Sequence, residues 1–376
     1  MAPLKSSLAR SVSKLLGVSK DRDLSLRGAS QTSRLGAQFR ASGGTKIDAT
    51  DGFTYHIFQK GNSDNFSITE TTGSDTVEVL LIGGGGGGGI QHGGGGGAGA
   101  LYHNPSYPIS ATGNYTVTIG AGGASQTSGN DSVFNDVTMK GGGKGGQMTV
   151  DGTAGGSGGG GGMDVTNPFP GTSSNTGGAV TAPSTTPTSS PFLHANIGGD
   201  GSGYYQYGAG GIGGGGGGAG GAGTSAPPGP GLQDPKARGG DDYLFTSIPT
   251  PVMPEIAAGL GDAGLGTPTV LLGVPLASPE NQKRAYAGGG AGGSHVPWGI
   301  YNPGGSGYGN HPDVADPMGG GSVYQSGGLG GLGNSQPGDP GVEGRGGGGG
   351  GSGQTPSPGG RGGAGICIVK YATPGS

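Results

Sequence analysis

Between residues 53 and 137 apolar and polar positions alternate in short runs, at 53–59, 66–69, 76–82, 100–103, 115–119 and 132–137. The runs are rich in β-branched and aromatic residues. Turn signals such as Lys60-Gly61-Asn62 and Thr112-Gly113-Asn114 separate them, which is the pattern of short strands joined by turns. Strands at this spacing predict a small β-sandwich. Within 76–82, Val77, Val79 and Leu81 alternate with Glu78, Leu80 and Ile82, so the second half of that strand is expected to be buried on both faces. A different period marks the N-terminus. Leu4, Leu8, Val12, Leu15 and Leu16 recur at helical spacing with Lys5, Arg10 and Lys14 between them, predicting a short amphipathic α-helix opened by Pro3 and closed by Gly17. A mitochondrial presequence has the same basic, serine-rich character and is the rival reading of this segment. Residues 19–45 are polar, basic and poor in large apolar residues, and are expected to order against a partner.

Elsewhere both periods give way to glycine. Tracts at 83–89, 93–97, 155–162, 208–223, 288–293 and 346–351 leave no side chains for a core helix or a packed strand. Each ordered glycine also loses more conformational entropy than any other residue. A flexible linker is one outcome. The other is the extended polyproline-II conformation, with three residues per turn and a rise of roughly 3.1 Å. The interruptions favour the second, because they tend to fall three apart: Ala121 and Ala124, Lys144 and Gln147, Ala209 and Ile212, Ala219 and Ala222, Leu329 and Leu332, Arg361 and Ala364. Two faces of such a helix present bare backbone and can pack closely. Collagen is excluded, since its glycines fall at every third position and these are contiguous.

Composition sharpens this division. With 101 glycines in 376 residues, 27 prolines and 30% hydrophobic residues, the chain cannot bury one large aliphatic core. The net charge of −4 hides an asymmetry: residues 1–46 carry nine Lys/Arg and two Asp, so the two ends of the chain are expected to meet different partners. The single cysteine, Cys367, excludes an intramolecular disulfide and a cysteine-rich zinc site. No run of about eighteen apolar residues exists to span a membrane.

Four separated motifs, 77–89 (VEVLLIGGGGGGG), 115–123 (YTVTIGAGG), 129–134 (GNDSVF) and 362–371 (GGAGICIVKY), resemble the glycine-rich domain of bacteriophage tail-fibre and adhesin proteins, in the same order. The resemblance implies a bundle of polyglycine-II helices whose loops at one end recognise the host surface. The expected fold is therefore mainly β: a small β-sandwich joined to a polyglycine-II helix bundle with long irregular loops, preceded by the N-terminal helix. Three regions are expected. Residues 1–46 form a virion-docking helix and arm, 47–150 a β-rich domain, and 151–376 the glycine-rich region, whose final strand, 365–371, returns beside 76–82. Function then reads as a non-enzymatic virion structural protein, a tail fibre or adhesin that is extracellular when acting. Expected partners are other virion proteins and a host-surface glycan or protein, with a homo-oligomer, a trimer among the options, and neither membrane nor nucleic acid. A virion decoration protein and a non-viral extracellular structural protein are the alternatives.

Chemistry-bearing motifs are scarce. Gly143-Lys144 lacks the Ser or Thr of a phosphate loop, Gly198–Gly201 is a lone turn-like repeat, and no GxGxxG match has a strand–turn–helix setting. Asp241 and Asp242 read as a solvated turn, the six histidines have no metal-ligand spacing, and Cys367 reads as a packed thiol. No catalytic residue, metal or cofactor is expected. Docking falls to Leu4, Leu8, Arg10, Val12, Lys14, Leu15 and Leu16. Receptor contact falls to two aromatic clusters in the loop insertions, Tyr204, Tyr205 and Tyr207, and Trp298, Tyr301 and Tyr308, because aromatic faces beside amides suit glycan rings and protein loops.

Overall fold

A computed structural model describes residues 38–61, 65–168, 175–181, 192–204, 211–226, 238–244, 247, 285–293, 326–328, 330–331, 336–354 and 357–374. The expected N-terminal helix lies outside these residues. Among them there is no α-helix, and the fold is mainly β with several antiparallel sheets. The strands are β1 Arg40–Ser42, β2 Thr45–Asp48, β3 Phe53–Gln59, β4 Phe66–Glu70, β5 Asp75–Ile82, β6 Leu101–Ile109, β7 Gly113–Tyr115, β8 Val117–Thr118, β9 Ser132–Phe134 and β10 Val137–Met139. They are followed by β11 Asp164–Pro168, β12 Leu193–His194, β13 Gly203–Tyr204, β14 Tyr243–Leu244, β15 Ala285–Tyr286 and β16 Ile366–Ala372. A six-stranded sheet has the order β12-β6-β5-β16-β3-β2; two three-stranded sheets, β1-β4-β7 and β10-β9-β8, accompany it.

Alternation explains how the large sheet is buried twice. Phe58, Val77, Val79, Leu81, Cys367 and Val369 project to one side and pack with Phe66, Ile68, Val117, Phe134 and Met139 of the small sheets. Tyr55, Ile57, Leu80, Ile82, Ile366 and Ile368 project to the other and meet Ala98, Ala219, Tyr286 and Ala287 from the glycine-rich region. The second half of β5 is thus buried on both faces. β16 lies between β5 and β3, with Ile366 opposite Ile82 and Lys370 opposite Glu78.

Three runs differ from their expected form. Residues 115–119 divide between β7 and β8 in different sheets, and 132–137 bends at Asn135 (φ 51°) into the hairpin β9–β10. β6 runs on past 103 through Pro105 and Pro108, where it has β5 on one side and β12, which covers Leu101 and Tyr102, no longer reaches the other. An edge strand tolerates the missing donors. From Arg40 the basic arm itself joins the sheets: β1 pairs with β4 and β2 with β3, the Gly43-Gly44 step (φ 111° and 56°) carrying the chain from one sheet to the other.

The glycine segments form a backbone lattice. From the first tract, Gly84 and Gly87 donate to Asn130 and Thr127, Gly85 and Gly88 to Gly363 and Gly360, and Gly86 and Gly89 to Gly97 and Gly94, at 2.8–2.9 Å. Residues three apart therefore address the same neighbour. Segment 93–99 is ringed by others: it donates to 346–352, 140–146 and 214–217, and accepts from 83–89, 157–160 and 290–293. Neighbours run both parallel and antiparallel to it. Contact is so close that a Cβ on Gly96 would strike the Gly86 carbonyl, and one on Gly95 the Gly290 carbonyl.

Side chains also accept lattice amides. Asp151 and Asp200 carboxylates accept the Thr176 and Gly177 amides at 2.7 and 2.8 Å, and Glu343 accepts the Ala364 amide at 2.9 Å while pairing with Arg361 at 3.0 Å. Arg361 and Ala364 thus address one partner, as their spacing suggests. Ala219 and Ala222 do not: a bend separates the buried first from the exposed second.

Candidate functional site

The lattice has two ends. Ile82, Ala100, Lys140 and Ile366 lie at the sheet, so the turns at the far ends of the same segments, 90–92, 124–128, 147–151, 336–338 and 352–354, face away from it. Backbone bonds knit these turns together. Gln126 N–H donates to Gly88 O at 3.0 Å, Gln91 N–H to Ser352 Oγ at 3.1 Å, His92 N–H to Gly353 O at 2.9 Å and Gly353 N–H to Gln336 O at 3.1 Å. Thr149 joins them through Met163 O and Met163 through His92 O. The exposed side chains are Ala124, Thr127, Gln147, Thr149, Val150, Asp151, Gln336 and Pro337, with Gln91, Gln126 and Gln354 half-buried beside them. This face is rich in amides and hydroxyls.

Sequence reasoning placed its binding residues on the loops, and the described residues fix where those loops leave. Tyr204 lies in β13, opposite Pro168 of the parallel strand β11 at this same end. Tyr205, Tyr207, Trp298, Tyr301 and Tyr308 lie outside the described residues, as do Leu4, Leu8, Arg10, Val12, Lys14, Leu15 and Leu16. Their flanks are informative: Gly213 N–H donates to Gly293 O at 3.0 Å, so the residues that follow the first aromatic cluster and precede the second are bonded to each other. The glutamines at the turns escaped sequence reasoning. Their signal was present, since Gln91, Gln126, Gln147, Gln336 and Gln354 each stand where a glycine-rich segment breaks.

Titratable groups gather instead on the sheet. Glu78 accepts from His103 Nε2 at 2.8 Å and lies 3.4 Å from Lys370 Nζ; His103 Nδ1 is 2.8 Å from Tyr243 OH, and Lys370 donates to Ser247 O at 2.7 Å over the Phe53 ring. Burial pushes the Glu78 carboxyl up, but hydrogen bonds from His103 and Ser247 and the Lys370 charge outweigh it and hold the group below its usual range. Burial, reinforced by the Glu78 charge, raises the Tyr243 phenol, and burial beside His103 lowers His194. The result is an ionised carboxylate closed in by donors, which ties β5, β6 and β16 to β14.

The other candidates resolve into packing. Burial pushes the Cys367 thiol up, away from the nucleophilic thiolate. Asp242 accepts from Ser326 Oγ, and buried Arg345 lies over the Tyr286 ring at 5.7 Å. A cleft of about 440 Å³ opens between β1 and β2, lined by Phe39, Arg40, Lys46, Asp48 and Tyr371, but its charges are paired as Arg40–Glu70 at 3.2 Å and Lys46–Asp48 at 3.1 Å. Among the described residues no group of three His, Cys, Asp or Glu side chains is placed to hold a metal ion, and no helix is long and apolar enough to cross a membrane.

Comparison with known proteins gives one family: a model described as a glycine-rich domain matches residues 61–372. No curated protein matches the chain.

Proposed function

The chain belongs to the glycine-rich domain family, and from that premise we propose that it is a non-enzymatic structural protein of a bacteriophage virion. In this reading it is a tail fibre or adhesin, docked to other virion proteins through its N-terminal segment and presenting the turns opposite the sheet to the host. The glycine segments serve as polyglycine-II helices, and the recurrence of their hydrogen bonds at every third residue supports that assignment.

One observation carries the reading: the Gly213–Gly293 bond sets the anchors of both aromatic-bearing segments side by side, at the end farthest from the sheet. A lattice almost without side chains can present contact chemistry through its turns and loops, and large aromatics are the residues that dominate binding hot spots. Replacing Trp298 and Tyr301 by Ala tests it through adsorption of the particle and thermal unfolding of the protein. Lost adsorption with an unchanged fold is expected. Unchanged adsorption assigns the chain to virion decoration without receptor contact.

Docking is tested separately. Because β1 and β2 are paired into the sheets, the informative truncation starts at Gln38. That chain should fold and fail to incorporate into particles; normal incorporation would remove the docking role.

A further inference from the structure

We propose that the face made by Gln91, Gln126, Gln147, Gln336 and Gln354 binds uncharged glycans, with Gln91 and Gln126 as ligand-contacting residues. This inference deepens the host-attachment reading and rests on it. Gln91 and Gln126 hold φ of 56° and 60°, in the left-handed region where an L side chain crowds the following carbonyl. Glycine meets no such crowding. The chain has glycine at 101 positions and keeps glutamine at these two turns, so the amides persist against the preference of the backbone. Backbone outliers of this kind concentrate at binding sites.

The chemistry of the face selects its ligand. Turns 90–92, 124–128, 147–151, 336–338 and 352–354 contain no Lys, Arg or Glu and a single Asp, Asp151, whereas the sheets carry the exposed pairs Arg40–Glu70 and Lys46–Asp48. The Asp151 carboxylate accepts the Thr176 amide at 2.7 Å. Each glutamine amide offers two donors and an acceptor, a set that matches neighbouring sugar hydroxyls, which are themselves donors and acceptors. Exposed Thr127 and Thr149 add hydroxyls, and half-buried Ile90 and Met148 add apolar surface for ring faces. An acidic polysaccharide would meet no complementary charge in these turns, which hold no Lys or Arg.

The test places the intact protein on an array of immobilised neutral oligosaccharides beside sialylated, sulfated and uronate-containing counterparts, at low and high salt, about 0.05 and 0.5 M. Binding should fall among the neutral glycans and change by less than about twofold with salt, since no screened charge contributes. Gln91→Gly with Gln126→Gly should weaken it at least about tenfold while raising the unfolding midpoint by about 1 °C per site, as the left-handed crowding is relieved. Preference for charged glycans, or a double variant that binds like the unmodified protein, overturns the proposal. So does a blank array. If particles still adsorb, and protease treatment of the cells abolishes adsorption while periodate treatment does not, the glycan assignment falls and host attachment stands; particles that do not adsorb at all remove both.

Discussion

The packed β-sheets and the glycine lattice solve the same problem with opposite materials. Between the sheets, side chains such as Leu81, Phe134 and Val369 fill the space, and each large apolar group buried contributes on the order of 2 kcal/mol. In the lattice the backbone is itself the filling. Its amides are satisfied in three directions, and its stability comes from many hydrogen bonds, each worth about 1 kcal/mol net, and from close backbone contact. The first material tolerates exchange of one hydrophobe for another of similar volume. The second has no alternative residue at inner positions such as Gly95 and Gly96, because a Cβ there enters a carbonyl.

The largest expected effect removes what the two regions share. Deleting Ile366–Tyr371 takes the strand between β5 and β3 out of the sheet and leaves both its faces incomplete. The protein should lose its cooperative melting transition, and a truncated chain that still melts cooperatively would show the lattice to be self-sufficient. Next comes a matched pair. Gly96→Ala should cost more than about 4 kcal/mol, the range reserved for disrupted packing, whereas Leu81→Met should cost less than about 1.5 kcal/mol. Similar losses in denaturant titration would erase the distinction between the two materials.

A smaller effect depends on pH and is confined to the β-sheets. His56 is buried between the rings of Tyr371 and Phe66, with Nδ1 2.7 Å from Gly43 O and Nε2 3.0 Å from Tyr371 OH. Burial lowers its pKa; the Gly43 carbonyl opposes this, Lys46 reinforces it and Asp48 opposes it again. The unfolded chain therefore takes up the proton at higher pH than the folded one. Stability is full above about pH 6.5 and declines as pH falls through the lowered folded value. His56→Gln should flatten that decline in melting temperature, and an identical pH profile would assign the loss to the carboxylates. The smallest effect marks the limit of glycine's necessity: Ala124 is exposed at a distal turn, and Ala124→Ser should change stability by less than about 0.5 kcal/mol.

The strands that carry the large sheet are legible because hydrophobic alternation and burial coincide there. Runs 53–59 and 76–82 read as strands, and the final segment, 365–371, reads as a partner of 76–82, whereas its pairing with 53–59 emerges only in the fold. β1 and β2 escape the same reading: RAS and TKID lack an apolar period, and their pairing comes from the strands they join. The period of three in the glycine tracts is also legible, and hydrogen bonds recur at that spacing. The candidate face is harder to read, because it consists of isolated glutamines scattered from 91 to 354 that only the folding of the segments brings together.

The position of β16 has a consequence in time. β5 ends at Ile82 and its neighbour begins at Ile366, so a ribosome must deliver nearly every glycine segment before the sheet can close. Until then Leu80 and Ile82 have β6 on one side only, and the later tracts lack the mark that β16 supplies. A run of glycines contains no address: sliding one segment by three residues along its neighbour restores every local bond. Registration must come from the flanking strands and turns, where side chains differ. Synthesis thus supplies nearly all the struts before the last alignment mark, and the sheet that anchors them closes only when β16 arrives.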